Sequence, residues 1–195
     1  FKRPSMGLIR AFEPGDQRKE KTIFRLGEVL DGATITGDMG TPDVTIENGD
    51  TVEIECYNQK VWTPGFTNAS SYGHNRRLIR YADVLLMAAE ANLERGNLTK
   101  AVGYINQVRA RARGNNTTMV PDVTTFHITQ LREALYHERR VELALEDTRF
   151  FDLVRTGRQN LMVPMGFVIG KNEHLPFPQS VIAAGGGKIK QNNGY

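Results

Sequence analysis

HERRVELALEDTRFFDLVRTG, residues 137–157, is the stretch that decides the fold of this chain, and we call it the signature stretch. On a helix that turns about 100° per residue, its apolar side chains and those just before it share one arc that faces a core. The apolar members of this arc are Leu131, Ala134, Leu135, Val141 and Leu145. Glu138 and Glu142 fall within the same arc. A bare carboxylate in an apolar contact is too costly to keep, so each glutamate needs a guanidinium or several hydrogen-bond donors.

Arginines at four positions are candidate partners: Arg80, Arg109, Arg149 and Arg155. The planar fork of arginine suits a buried pair better than lysine would. We therefore predict a structural ion-pair network that locks one helix packing. Its predicted members are Glu138, Glu142, Arg149 and Arg155.

Paired carboxylates are also the catalytic groups of glycoside hydrolases, so a catalytic interpretation has to be weighed. Those enzymes place the two groups on either side of the scissile bond, in environments that push their pKa values apart. Glu138 and Glu142 instead project from one helix face into one arginine-rich setting. The structural interpretation is preferred, and no catalytic residue is predicted.

Residues 77–157 are predicted to be helical. A first helix runs from about Arg80 to Arg95 and should be buried almost all round, and Gly96 follows it as the C′ residue. A second begins at Asn97 or Leu98 and runs to about Ala112, and this pair is similar to one tetratricopeptide hairpin, which needs neighbours to bury its faces. Thr125 or Thr129 is expected to cap the helix of the signature stretch. A separate short helix is predicted from Arg149 to Thr156, ending at Gly157.

The two ends of the chain are predicted to be less regular. Residues 1–76 are rich in glycine and proline and contain one hairpin at 44–54, where apolar alternation flanks Asn48-Gly49. Residues 158–195 are predicted to be an irregular tail. Together with the helices, these features predict a mainly α fold with long loops.

A loop from Asn58 to Asn75 carries three candidate ligand-binding residues, Trp62, Phe66 and Tyr72, among short polar side chains. The C–H faces of sugars stack on such rings while nearby amides hydrogen-bond the hydroxyl groups. The simpler interpretation is that this loop covers the helical core.

Composition excludes several classes of function. The chain has 195 residues, 39% hydrophobic and 24% charged, with a formal net charge of +3. Its basic residues are interleaved with acidic ones, so no nucleic-acid partner is predicted, and no apolar run reaches the ~20 residues of a membrane-spanning helix. The four histidines lack metal-ligand spacing, and Cys56 has no second cysteine, so it is expected to be a small buried side chain. No metal or cofactor is predicted.

Five ordered segments resemble the SusD/RagB family, surface lipoproteins of Bacteroidetes that bind nutrients, mostly glycans. They are GDQRKEKTIF at 15–24, RLIRYADVLLMAAEANLERGNLTKAVGYINQVRARA at 77–112, the signature stretch, HLPFPQSVI at 174–182 and QNNGY at 191–195. The match departs from the family pattern at Asn193, where proline is usual, and at Phe177 between two prolines.

The resemblance implies a SusD-like α/α fold with a tetratricopeptide-like helix pair, one small β-hairpin and long irregular loops. It also implies that residues 1–195 are the C-terminal portion of a single SusD-like domain. The function implied is non-enzymatic: binding of a nutrient, most often an oligosaccharide, at the cell surface and its delivery to a SusC-type TonB-dependent transporter. The location implied is the outer membrane, through a lipid anchor on an N-terminus absent from this chain. The alternatives are a tetratricopeptide-like scaffold that binds a polypeptide and, more remotely, a glycoside hydrolase.

Overall fold

A computed structural model of the chain describes residues 3–36, 44–47, 50–53, 55–62, 75, 77–116 and 118–195. The described part is mainly helical with few short strands, which confirms the predicted fold class. The chain divides into two compact units, Phe1–Asp147 (unit 1) and Thr148–Tyr195 (unit 2). The organisation as part of a single domain stays a prediction.

The described residues of unit 1 form helices and short strands. The helices are α1 (Met6–Ile9), α2 (Arg18–Thr22), α3 (Tyr81–Glu94), α4 (Leu98–Arg113) and α5 (Ile128–Glu142), with a 3-10 turn at Gln59–Val61. The strands are β1 (Ile23–Arg25), β2 (Val29–Leu30), β3 (Ala33–Thr34), β4 (Val44–Glu47), β5 (Asp50–Glu53) and β6 (Cys56–Asn58).

Helices α3 and α4 form the predicted helix pair. Gly96 follows the C-cap of α3 with φ of 76°, a conformation that glycine adopts without steric cost. Its N–H donates to the carbonyl of Leu93 at 3.0 Å, and the next N–H, that of Asn97, donates to the carbonyl of Asn92 at 2.8 Å. The chain thus leaves α3 and enters α4 at Leu98, as predicted.

The main core lies between α3, α4 and α5. Its buried side chains are Leu85, Leu86, Ala89, Leu93, Ala101, Val102, Ile105, Val108, Leu131 and Leu135. One face of α3 remains outside this core, because Tyr81, Val84 and Met87 are 72%, 43% and 44% exposed. The prediction that this helix is buried almost all round was therefore wrong for unit 1, where only one side of it is covered.

The signature stretch is not one continuous helix. Helix α5 ends at Glu142, and Leu145 and Asp147 then adopt φ values of 64° and 68°, which an α-helix does not allow. Helix α5 also begins differently from the prediction, with His127 as its N-cap residue. Thr125 lies two residues earlier, where its hydroxyl accepts from the N–H of His127 at 3.2 Å, and so it supports the approach to the helix rather than its first turn.

The described strands form three antiparallel pairs. Strands β4 and β5 are the predicted hairpin, with Val44 opposite Glu53, while Asn48 and Gly49 lie outside the described residues. Strands β2 and β3 form a hairpin that was not predicted, around Asp31-Gly32 with φ values of 50° and 79°. An Asp-Gly pair favours this turn because both central residues need positive φ.

The third pair joins segments that are distant in sequence. Strand β1 pairs with β6, and Phe24 lies opposite Tyr57. A second apolar cluster surrounds this pair and contains Ile9, Phe12, Ile23, Cys56, Val141 and Ala144. Cys56 is fully buried within it, as expected for a small apolar side chain.

Unit 2 contains more regular structure than the irregular tail predicted for most of it. It has α6 (Arg149–Arg155), a 3-10 helix at Gln159–Met165 and α7 (Gln179–Ala184). Helix α6 ends before Gly157, whose φ is 69°, as predicted. Two of the segments quoted above contact each other here: the Gln191 amide accepts from the N–H of Phe177 at 2.8 Å and donates to its carbonyl at 2.9 Å. In the part of the chain that is described, no helix combines the length and apolar character needed to cross a membrane.

Candidate functional site

Two carboxylates are buried on the inner face of α5. Glu138 is 0% and Glu142 2% exposed, and they lie one turn apart beside Val141 and the α3–α5 core. Their positions follow from the arc that the sequence predicts. Burial of two charges at this spacing requires that cations reach both of them.

Glu138 is held by two arginines. Arg18 Nη1 donates to Glu138 Oε1 at 2.5 Å, and Arg109 Nη1 donates to Glu138 Oε2 at 2.8 Å. The Arg18 side chain is itself fixed by Asp16, whose oxygens accept from Nε and Nη2 at 2.7–3.1 Å. Arg109 also pairs with both oxygens of Glu13, at 2.8 and 2.9 Å.

Glu142 is shared by three arginines from three parts of unit 1. Arg18 Nη1 donates to its Oε2 at 3.0 Å, so one nitrogen bridges the two buried glutamates. Arg80 Nη1 donates to its Oε1 at 2.5 Å, and Arg111 Nη2 reaches Oε1 and Oε2 at 2.6 and 2.7 Å. These bonds connect the residue before α3, the last turn of α4 and the start of α2 to α5.

Glu146 extends the cluster into the turn after α5. Its carboxylate accepts from Arg80 Nε at 2.7 Å and pairs with Lys60 Nζ at 2.6 Å. Lys60 Nζ also donates to the carbonyl of Glu142 at 2.8 Å. We call the whole cluster the carboxylate–cation network, and its members are Glu13, Asp16, Glu138, Glu142, Glu146, Arg18, Lys60, Arg80, Arg109 and Arg111.

The network lowers the pKa of several of its carboxyl groups, Glu142 and Glu146 among them. Burial alone would raise the pKa of Glu142, but the hydrogen bond and charge of Arg80, with Arg111 and Arg18, lower this pKa below its ordinary value. The pKa of Glu146 is lowered in the same way, against burial, by Arg80 and Lys60. Burial would lower the pKa of Arg18, but hydrogen bonds and charges from Asp16 and Glu138 raise it above its ordinary value.

This geometry is unsuited to glycosidase chemistry at the two buried glutamates. A general acid needs a raised pKa, and the pKa of Glu142 is lowered. Both carboxylates are contacted by the same Arg18 nitrogen, so no sugar ring can pass between them. The arrangement can hold helices and loops together, which is the role that the sequence interpretation preferred.

The cations that the structure brings to the glutamates differ in part from those proposed. Arg80 and Arg109, two of the candidate partners, contact them directly. Arg149 and Arg155 lie in unit 2, where Arg155 pairs with Asp152 at 2.7 Å, and their membership of the network stays a prediction. The sequence did not predict the remaining members, and two of these, Asp16 and Arg18, lie in the quoted segment at 15–24. The others are Glu13, Lys60, Arg111 and Glu146.

Trp62 lies at the end of the 3-10 turn that follows β6, and its ring is partly buried. The ring packs edge-on against Phe24, with centroids 5.6 Å apart and planes at 78°. Its Nε1 donates to Asp31 Oδ2 at 2.8 Å, and Phe24 also packs against Tyr57 at 5.7 Å. One edge of the indole is thus packed onto the β1–β6 pair, and Trp62 keeps part of its surface in solvent. Covering of the helical core by this loop stays a prediction.

The other two candidate ligand residues, Phe66 and Tyr72, lie outside the described residues, so their role stays a prediction. Among the residues that the structure does describe, no group of three or more His, Cys, Asp or Glu side chains is arranged to hold a metal ion.

Comparison with known proteins gives one consistent family. The model of the SusD family matches residues 2–174. The curated SusD-like protein P25 of Formosa agariphila is 40% identical over 103 residues, which is 52% of this chain and 19% of that protein. SusD-like protein P2 of the same organism is 33% identical over 127 residues, 60% of this chain and 25% of its own length.

Solved structures agree with the family match. A SusD superfamily protein from Bacteroides vulgatus has a TM-score of 0.66 and 25% identity, covering 99% of this chain and 44% of that one. Surface glycan-binding protein A from Bacteroides thetaiotaomicron, in complex with laminarihexaose, has a TM-score of 0.66 and 23% identity, covering 98% of this chain and 41% of that one. This chain therefore spans less than half the length of the proteins whose fold it shares.

Proposed function

Because this chain belongs to the SusD family, we propose that it takes part in binding an oligosaccharide at the cell surface and in delivering it to a SusC-type TonB-dependent transporter. The observation that carries the proposal is the likeness in fold, over 98% of this chain, to a surface glycan-binding protein solved with laminarihexaose. Binding is reversible and leaves the glycosidic bonds of the ligand intact.

The network supports a binding role without catalysis. Its buried carboxylates are saturated by arginines, and the pKa of Glu142 moves away from the range that a general acid requires. A protein that only captures its ligand needs a rigid frame beneath the binding surface, and these ion pairs supply such a frame.

The ligand surface that we propose is built around Trp62, with Phe66 and Tyr72 as further aromatic contributors. An indole that is fixed along one edge and partly exposed can stack against the C–H face of a sugar ring without losing much conformational freedom. Phe24 and Asp31 fix that edge of Trp62.

We propose that the protein acts at the outer membrane on the cell surface, held by a lipid anchor on a part of the polypeptide outside this chain. The relatives named above come from Formosa agariphila and from Bacteroides species, and the partner that the family implies is an outer-membrane transporter. Protease treatment of intact cells that produce the full-length protein tests this location. Digestion is expected before lysis, and protection until lysis would contradict it.

The binding proposal is tested with the intrinsic fluorescence of Trp62, since the chain contains one tryptophan. Titration with laminarihexaose, and with other neutral and acidic oligosaccharides in parallel, should give a saturable change in emission and a matching calorimetric signal for at least one of them. The sugars recovered afterwards should be unchanged in length. Absence of binding to every sugar, or release of shorter products, would overturn the proposal.

A second candidate function, a scaffold for a polypeptide, is favoured by the exposed apolar row on α3. Tyr81, Val84 and Met87 lie on one face of this helix at a spacing that suits helix-in-groove contacts. That function predicts saturable binding of an amphipathic peptide that is lost in Met87→Asp, with no response to sugars. The sugar titration and the peptide titration therefore separate the two functions.

A further inference from the structure

The turn that carries Trp62 is attached to the end of the signature helix α5. Asn58, the last residue of β6, caps the turn by accepting from the N–H of Lys60 at 3.0 Å. Its amide nitrogen donates to the carbonyl of Leu145 at 3.5 Å, in the turn after α5. Asn58 therefore connects the turn that carries Trp62 to the backbone that follows α5.

Lys60 makes the stronger attachment. Its ammonium donates to the carbonyl of Glu142 at 2.8 Å and to Glu146 Oε1 at 2.6 Å, although 82 and 86 residues separate these positions. The two side chains are 23% and 20% exposed, so the pair is shielded from most of the solvent. Breaking such a pair costs more stability than breaking an exposed one, because removal of either partner leaves a poorly solvated charge.

Arg80 fixes the acceptors that Lys60 uses. Its guanidinium donates to both oxygens of Glu146, at 2.7 and 2.9 Å, and to the carbonyl of Glu142 at 2.5 Å. Arg80 therefore holds the Glu146 carboxylate in the orientation in which it also accepts from Lys60.

Trp62 lies two residues beyond Lys60, and its backbone N–H donates to the carbonyl of Gln59 at 3.0 Å within the same turn. The indole is fixed separately, by Phe24 along its edge and by Asp31 at Nε1. The ring thus has two supports of different kinds, one through the side chain and one through the backbone that Lys60 anchors.

We propose that Lys60 is a positioning residue for the Trp62 ligand surface: its bonds to Glu142 and Glu146 set the backbone turn that presents the indole. This inference rests on the proposed function, because it assigns Lys60 a part in affinity for the oligosaccharide without contact with the sugar. It also connects the signature stretch to ligand binding, since the acceptors are the last residue of α5 and the turn that follows.

The test compares Lys60→Met, Lys60→Arg and the control Lys100→Met, at an exposed lysine on α4. Lys60→Met keeps an unbranched apolar stem and removes the ammonium group. Without any sugar, it is expected to lower the anisotropy of Trp62 emission and to shift its maximum, whereas Lys100→Met should match the parent chain. Lys60→Arg should restore the parent signal, because a guanidinium can reach the same two acceptors.

With laminarihexaose, or whichever oligosaccharide binds the parent chain, Lys60→Met should weaken affinity about fivefold or more. Urea unfolding is measured on the same variants, and affinity is read under conditions where each is fully folded. A loss of stability with unchanged affinity and unchanged emission would overturn the inference and leave Lys60 as a purely structural residue.

Failure of the inference and failure of the proposed function give different results. If the parent chain binds sugar and Trp62→Ala does not, but Lys60→Met binds like the parent, the positioning role is wrong and the binding function stands. If the parent chain binds no sugar, the proposed function is wrong, and with it the role of Lys60 in affinity. The sugar-free emission and anisotropy then still decide whether Lys60 sets the position of the indole.

Discussion

The guanidinium of Arg18 lies 2.5 Å from the carboxylate of Glu138, although 120 residues separate the two in the chain. Asp16 orients Arg18 from the other side, and both partners are almost completely buried. The pair closes a long loop and joins the N-terminal part of unit 1 to its helical core. Removal of one partner of such a buried pair strongly destabilises the fold, because the other partner is left charged and poorly solvated.

Arg18→Met is therefore expected to lower the free energy of unfolding by about 3–5 kcal/mol. The measurement is urea unfolding at neutral pH, followed by circular dichroism. Arg132→Met is the matched control, because Arg132 pairs with Glu94 in a solvent-exposed position and such pairs contribute at most about 1 kcal/mol. Equal losses in the two variants would show that burial of Arg18 adds nothing to its ion pairs.

Stability is expected to fall with acid, and the sign follows from the network. Glu13, Glu142 and Glu146 have a pKa lowered in the folded state, so the unfolded chain binds protons first as the pH falls. Their contribution to the free energy of unfolding is complete above a pH of about 5, and it is lost as the pH falls through the folded-state pKa values. Urea unfolding at pH values about 0.5 apart, from pH 7 to the acid limit of folding, measures this dependence.

Glu146→Gln provides the comparison for the acid series. It removes a carboxylate that Arg80 and Lys60 hold in its charged form, so the variant should be less stable at neutral pH and lose less on acidification. Parallel curves for the parent chain and the variant would mean that Glu146 does not contribute to the acid sensitivity.

Features set by neighbouring residues were predictable from the sequence. The helix pair, its break at Gly96 and the burial of Glu138 and Glu142 follow from periodicity and turn chemistry within a few residues. The β2–β3 hairpin was missed although Asp31-Gly32 carried a local signal for it. Its strands contain two residues each, too few for an alternating pattern to indicate them.

The partners of the buried glutamates were predictable in kind and only partly in identity. Burial of a carboxylate demands a cation, but the demand does not specify where in the chain the cation lies. Arg18 and Lys60 reach their partners across 120 and 86 residues, a separation at which no periodic pattern operates. Helix α5 ends at Glu142 and Leu145 has a positive φ, so a helical wheel drawn from α5 does not apply to later positions, Arg149 among them.

Gly15→Ala is expected to cost more than an ordinary substitution at a left-handed glycine by the free energy needed to move the flexible Met119 side chain aside. Gly15 has φ of 76°, and an added Cβ would overlap Met119 Sδ and lie 2.9 Å from its Cε. Gly27 has nearly the same φ of 79° and open space around the added atom, so Gly27→Ala should cost only the backbone strain of about 1–2 kcal/mol. The melting temperatures of both variants measure the difference.

A second substitution isolates the steric part of the Gly15 effect. In a Met119→Ala background the overlap is removed, so Gly15→Ala and Gly27→Ala should become similarly costly. A difference that persists at full size in this background would mean that contact with Met119 does not account for the sensitivity of Gly15.

Asp31 serves both the hairpin and Trp62, and three substitutions separate these contributions. Asp31→Asn keeps a side-chain oxygen and a residue type that tolerates positive φ, so stability and Trp62 emission should stay close to those of the parent chain. Asp31→Gly keeps the turn and loses the acceptor, which should cost about 0.5–1.5 kcal/mol and shift the emission. Asp31→Ala adds the strain of φ at 50° to the same loss and should be the least stable of the three.

Thermal unfolding and emission spectra of the three variants give the order of their stabilities and the state of the indole. If Asp31→Gly leaves the emission of Trp62 unchanged, the hydrogen bond does not fix the indole, and packing against Phe24 alone holds it.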